Sequence, residues 1–222
     1  MEIACDESGS EGEKLVGGVT AVFAHASVRF SHEDASACVE SLREMIKSPA
    51  REYKANHLLR RKNRWVLLWF LGPGGPLAGR ARVQLVDKRR FLASRVRAEF
   101  GAVTGPLELY NDLLRAQGPR GALDPLFPAI LRAVAQWGGP VSIVHDQQLS
   151  LTGGRIRQLE QAAPRLRSLT LADSRQDARV QVADFLAGIA RRVAEEELHG
   201  RPDREVIELL RPFVVGPGMW HA

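Results

Sequence analysis

The sequence predicts an α/β fold: a mixed sheet that begins with an antiparallel hairpin and carries helices on its faces. Three observations support this. Two apolar, strand-like stretches separated by a glycine turn open the chain, and further strand-like runs then alternate with segments of helical period. The 222 residues suffice for one well-filled core, and no shift in composition divides them, so residues 1–222 read as a single domain.

The elements follow in order. Residues 1–6 read as the first strand, which ends in a turn containing Gly9 and Gly12; residues 15–26 alternate apolar and small side chains and read as its hairpin partner. Ser31-His32-Glu33-Asp34 has helix-starting chemistry, Ala35, Val39, Leu42 and Ile46 recur at helical spacing, and Ser48-Pro49 ends the run. Glu52-Tyr53-Lys54-Ala55 reads as a short extended or turn segment. Residues 58–71 read as a helix through Leu58, Leu59, Trp65, Val66, Trp69 and Phe70, closed by the Gly72–Pro76 loop. Residues 80–87 predict a strand, 107–117 and 125–137 helices, and 141–146 an apolar strand ending in Asp146. A helix at 155–163, a strand at 166–171, a long helix at 177–198 and a short one at 205–210 complete the order, with no internal repeat.

Composition excludes several classes. No apolar run reaches the roughly 18 residues of a membrane span. Glu2, Asp6 and Glu7 argue against a signal peptide. Cys5 and Cys38 have no metal-ligand spacing and read as reduced packing residues, so the expected location is cytoplasmic. The net charge is +5, but its distribution says more. From Arg43 to Arg64 eight Lys or Arg face two Glu, and from Arg80 to Arg97 seven face only Asp87. Such blocks suit a polyanion. The competing reading is a chain-wide use of Arg for Lys, since only five Lys are present. Glu195-Glu196-Glu197 reads as a solvated helix face, and Asp173-Ser174 as the cap of the helix that follows.

Four acids stand out. Asp6 and Asp146 end apolar strands, Glu52 sits beside Lys54, and Asp184 interrupts the apolar run Val180–Ala190 with Gln181 three residues before it. An unpaired carboxylate is almost never fully buried, so Asp184 requires a partner. In a mixed sheet, strand ends share a crevice. Carboxylates converging there repel one another unless a divalent cation neutralises them. Mg²⁺ or Mn²⁺ on such a set is the chemistry of phosphodiester cleavage, with Lys54 as a point charge near the phosphate. The competing readings are cap roles for Asp6 and Asp146, pairing of Asp184 with a buried Arg, and a surface pair of Glu52 with Lys54. Asp87, at a strand end, could belong to the site too, and its favoured role is structural or in support of the site residues. His57 and His145 lie near these acids in sequence, where either could assist proton transfer, and their default role is structural. No nucleophile elbow or phosphate-binding glycine loop is present.

Asp6-Glu7-Ser8-Gly9, Glu52-x-Lys54, Val86-Asp87-Lys88 and Gln181-x-Ala183-Asp184 with Ala187-Gly188 resemble, in that order, the domain-of-unknown-function 3800 family. That resemblance implies an RNase H-like (retroviral-integrase superfamily) fold. It implies Asp6, Glu52 and Asp184 as metal ligands, Asp146 as a fourth, and Ser8, Lys54 and Gln181 as accessory. The Pro/Gly-rich stretch after Leu71 departs from the family pattern. The expected activity is divalent-metal-dependent hydrolysis of nucleic acid (DNA, RNA or a hybrid). The alternatives are a catalytically inactive nucleic-acid-binding or regulatory module, and a hydrolase of small phosphorylated molecules.

Overall fold

In a computed structural model of the chain the described residues are 1–50, 53–119, 121–216 and 219–220. Five strands form one mixed sheet: β1 (Glu2–Ser8), β2 (Val22–Val28), β3 (Ala81–Asp87), β4 (Val141–Asp146) and β5 (Leu166–Ala172). Their spatial order is β3-β2-β1-β4-β5, with β2 antiparallel to both neighbours and β1, β4 and β5 mutually parallel. A leading antiparallel hairpin followed by parallel strands is the mixed α/β arrangement expected from the sequence.

Helices cover both faces. Ala4 of β1 and Val22, Ala24, Ala26 and Val28 of β2 face one apolar layer. That layer is built from α1 (His32–Ile46), α2 (Ala55–Leu58), α3 (Arg64–Leu71), α8 (Ala178–Leu198) and α9 (Arg204–Leu210). The alternate residues Ile3, Cys5 and Phe23 face α6 (Leu126–Gln136) and α7 (Gly153–Ala162). This period-2 partition explains why every residue of β2 is buried. Cys5 and Cys38 are free and buried, as packing residues should be. The centre of α8 is apolar on almost every side because it lies between the sheet and α1 and α2. Among the described residues no helix is long and apolar enough to cross a membrane.

Several local expectations needed correction. The second strand begins at Val22, not at residue 15, and the first runs two residues past Asp6. Leu15 and Val16 instead bury in a satellite cluster with Leu92, Val96 and Leu123. Their backbone N–H groups are accepted by the buried Asn111 Oδ1 at 2.9 and 3.1 Å, so a side chain replaces a strand ladder there. The helix expected at 58–71 is broken into α2, a 3-10 turn at Arg61–Asn63, and α3. Buried Asn63 bridges the break by donating Nδ2 to the His57 carbonyl at 2.6 Å, and Trp65 points outward at 56% exposure.

A further helix, α4 (Lys88–Phe100), was not anticipated. It is so basic that only Leu92 and Val96 mark its apolar side, too few for a clear period. It packs against α5 (Leu107–Gln117). Asp87 caps α4 through the Arg90 N–H, which bears out its structural reading.

Candidate active site

The site lies where the parallel strands end beneath α8. Pleat alternation puts Asp6 and Ser8 on the Ala4 side of β1, facing α8, and sends Glu7 to the opposite face. Cys5 is in register with His145, so Asp6 falls one step further on beside Asp146, which continues the Val144 face. From above, α8 supplies Asp184. Lys54 Nζ stands 3.4 Å from Asp184 Oδ2 and supplies one counter-charge to it. Lys54 is the N-cap residue of α2, and its backbone N–H donates to His57 Nδ1 at 3.1 Å. Glu52 lies outside the described residues.

Asp6 is the most constrained of these acids, with 5% of its surface exposed. Burial pushes its carboxyl well above the usual carboxylate range. The negative charges of Glu7, Asp184 and Asp146 push in the same direction, against one lowering contact, the Glu7 N–H donated to Asp6 Oδ1 at 2.7 Å. The structure therefore brings Asp6, Asp146 and Asp184 into one electrostatic neighbourhood from two strands and a helix. Asp146 also has a local role, since its Oδ1 accepts the Ser174 N–H at 3.1 Å. Gln181 Nε2 donates to the carbonyl of the same Ser174 at 2.7 Å, so Gln181 and Asp146 jointly fix the β5–α8 connection. Asp173-Ser174 is thus a held loop, and the cap of α8 is Asp177. Among the described residues no three His, Cys, Asp or Glu side chains are gathered as a ready metal-ligand group.

One face of α8 continues the site away from Asp184. Gly188, one turn on, lets α2 approach so closely that a Cβ there would stand 2.5 Å from Ala55 Cβ and 4.0 Å from Ser8 Oγ. Arg191 Nε then donates to Ser8 Oγ at 2.9 Å, and its Nη1 meets Glu195 Oε2 at 2.5 Å. The other Glu195 oxygen accepts the N–H groups of Ala21 and Val22 at 3.0 and 3.4 Å. Glu195 is therefore a buried brace between α8 and the start of β2, not a solvated residue. Sequence reading missed Arg191 and Glu195. Their i, i+4 spacing and alignment with Asp184 and Gly188 were visible, but three consecutive glutamates disguised which one turns inward. A cleft of about 570 Å³ opens here, bounded by Ser8, Lys54, Asn56, Asp184, Gly188 and Arg191.

Behind β1, on the α6 and α7 side, Glu7 meets a second buried polar group. Burial raises its carboxyl from 4.5 to about 7, although Gln148 Nε2 donates to it. His145 Nε2 is 3.8 Å from Glu7 Oε2, too far for a hydrogen bond, and burial lowers His145 to about 4, so it is neutral at pH 7. It stacks on His25 with ring centroids 5.4 Å apart. Both histidines near the acids are thus accounted for structurally: His145 is on the far face of the sheet, and His57 caps the Lys54 turn.

No family model and no curated protein matches the chain. Among solved structures, one described as the PCNA:RNase HII complex from Archaeoglobus fulgidus matches at 15% identity. The match covers 100% of this chain and 82% of that one, with a TM-score of 0.46.

Proposed function

We propose that the chain is a divalent-metal-dependent nuclease of the domain-of-unknown-function 3800 family, hydrolysing phosphodiester bonds of nucleic acid at the Asp6–Asp146–Asp184 site. The observation that carries this reading is Asp6, a nearly fully buried carboxyl whose acidity is suppressed by burial and by three neighbouring carboxylates, one of which, Asp184, lines an open cleft. A structural core has no use for such a charge. A divalent cation removes both the repulsion and the desolvation penalty, and an all-oxygen donor set suits Mg²⁺ or Mn²⁺. Asp6, Asp146 and Asp184 would hold it, with Glu52 added by the family resemblance. When bound, such an ion makes water a nucleophile at neutral pH and stabilises charge on phosphoryl oxygens.

The chain's own residues have separate tasks. Lys54, half exposed beside Asp184, supplies a positive charge to the scissile phosphate. Ser8, oriented by Arg191, lines the approach to Asp6. Gln181 keeps the Asp146 loop in position through Ser174. Asp184→Asn is expected to abolish Mg²⁺- or Mn²⁺-dependent cleavage while leaving the circular dichroism spectrum unchanged. Failure of the wild-type protein to cleave DNA, RNA or a hybrid with either metal would overturn the proposal.

Two observations favour the inactive-module reading: Lys54 is itself a counter-charge for Asp184, and among the described residues no three His, Cys, Asp or Glu side chains are gathered as a ready metal-ligand group. The signature of such a module is nucleic-acid binding that falls with salt and is indifferent to divalent metal.

A further inference from the structure

The carboxylate cleft does not end at Arg191. It shares Leu59, Arg60 and Arg192 with a second cleft of about 630 Å³ that runs between the α2–α3 connection and the C-terminal half of α8 toward α9. The two clefts adjoin along these shared residues and together make a groove. Its second half is strongly cationic: Arg60, Arg61, Arg64, Arg192 and Arg201 line it against only two carboxylates, Glu196 and Asp203.

The arginines differ in how they are held. Arg64 is fixed by Asp203 at 2.5 and 3.0 Å and by Glu205 at 2.6 Å. Arg192 and Arg201 share Glu196 at 2.7 and 2.6 Å. Arg60 and Arg61 are exposed and, among the described residues, tied to no carboxylate. They sit at the start of the 3-10 turn that interrupts the expected long helix, and Asn63, buried beneath them, fixes that turn. The break in the helix therefore presents two unneutralised guanidinium groups on the rim of the groove, one of which, Arg60, lines both clefts.

We infer that this groove is the track for the phosphate backbone of a nucleic-acid strand, with Arg60 and Arg61 contacting the phosphates that flank the bond positioned at Asp184. The inference rests on the nuclease reading for what happens at Asp184, but the binding it describes is independent of cleavage. Guanidinium groups bind phosphate oxygens in a planar, two-donor geometry. A run of them beside a catalytic cleft neutralises successive phosphates without reading bases. A mononucleotide would fill only the carboxylate end and gain nothing from Arg61.

The test uses full-length protein and a fluorescein-labelled single-stranded oligonucleotide, in EDTA and in Mn²⁺, over a salt series. Arg60→Glu/Arg61→Glu is expected to weaken binding at least tenfold. It should also lower the slope of log affinity against log salt by roughly 0.7 for each phosphate that the protein no longer neutralises. Arg95→Glu/Arg97→Glu, the same charge reversal on α4 away from both clefts, is expected to leave affinity within twofold. Hydrolysis of bis(p-nitrophenyl) phosphate, which is too small to span the groove, should persist in the Arg95/Arg97 variant. Equal binding by the Arg60/Arg61 variant and wild type, or loss of binding only in the α4 variant, would overturn the inference while leaving the Asp184 site intact. Absence of hydrolysis in the wild type alongside Arg60/Arg61-dependent binding would instead sink the nuclease reading and keep the groove.

Discussion

Gly188 offers a test of how closely the fold and the proposed chemistry are joined. An alanine in mid-helix is normally more stable than glycine by about 1 kcal/mol. Here the added methyl would stand 2.5 Å from Ala55 Cβ, whereas carbon atoms pack at about 3.5–4.0 Å. In Gly188→Ala, α2 must therefore move away from α8 by about 1 Å, at an overpacking cost of about 1–3 kcal/mol. Set against the helix gain, the net destabilisation is about 0–2 kcal/mol, or up to about 8 °C in Tm for a domain of this size. Activity should suffer more than stability. Ala55 is the first residue of α2 and Lys54 is its N-cap, so the same displacement is transmitted to the 3.4 Å contact between Lys54 and Asp184. A shift of about 1 Å at a reacting centre can lower the rate by about 100-fold. Initial rates of Mn²⁺-dependent oligonucleotide cleavage, read alongside a thermal melt, are expected to show a large rate loss with a small Tm change. A variant with wild-type rate and wild-type Tm would refute the reasoning, since it would mean that α2 does not rest on Gly188 or that its position is irrelevant.

Glu195→Ala removes the brace at the other end of this stripe, orphaning the Ala21 and Val22 N–H groups and leaving Arg191 without its buried partner. Breaking a buried pair in this way costs about 3 kcal/mol, which corresponds to a Tm lower by about 6–12 °C; Glu195→Gln, which keeps an acceptor, should lose less than half of that. Glu7 predicts a pH effect of known sign. Its folded pKa, about 7, lies above the ordinary 4.5, so its contribution to stability is fully present below pH 4.5 and is lost as pH rises through 7. In EDTA, Glu7→Gln is therefore expected to match wild type in urea denaturation at pH 4.5 and to exceed it by roughly 3 kcal/mol at pH 8; equal stabilities at pH 8 would contradict the burial of an ionised Glu7. Asn63→Ala should unlock the Arg61–Asn63 turn and weaken oligonucleotide binding with little effect on hydrolysis of the small diester, as measured by parallel titrations and rate assays.

Much of the architecture was legible because the core follows simple periods. β4 was bounded correctly from its apolar run and terminal Asp146, and α8 to within one residue as 177–198, although its cap is Asp177 and not Asp173-Ser174. What escaped were places where long-range polar contacts decide the backbone. Leu15 and Val16 look like strand residues, but Asn111, almost a hundred residues away, takes their N–H groups. The helix break near Arg61 depends on a buried amide, which composition does not flag. In the candidate site, Asp184 was nameable because a carboxylate in an apolar run requires a partner, Asp6 and Asp146 because they end apolar strands, and Lys54 from its place beside Glu52. The arginine–glutamate brace on α8 was not, because in the sequence Glu195 is indistinguishable from the exposed residues beside it.

The claim that Asp6, Asp146 and Asp184 share a divalent cation is tested most directly by metal binding to purified protein, independent of any substrate. Thermal melts with Mn²⁺ from zero to saturation are expected to rise for wild type. At a concentration 100-fold above Kd, stabilisation by about 2.7 kcal/mol would raise Tm by roughly 5–11 °C. Asp6→Asn and Asp184→Asn, each melted over the same titration, should lose most of that rise while melting in EDTA no lower than wild type, because each relieves the repulsion that burdens the metal-free site. A wild-type Tm that is indifferent to Mn²⁺ and Mg²⁺, or a rise that survives intact in both variants, would contradict a shared cation at these carboxylates.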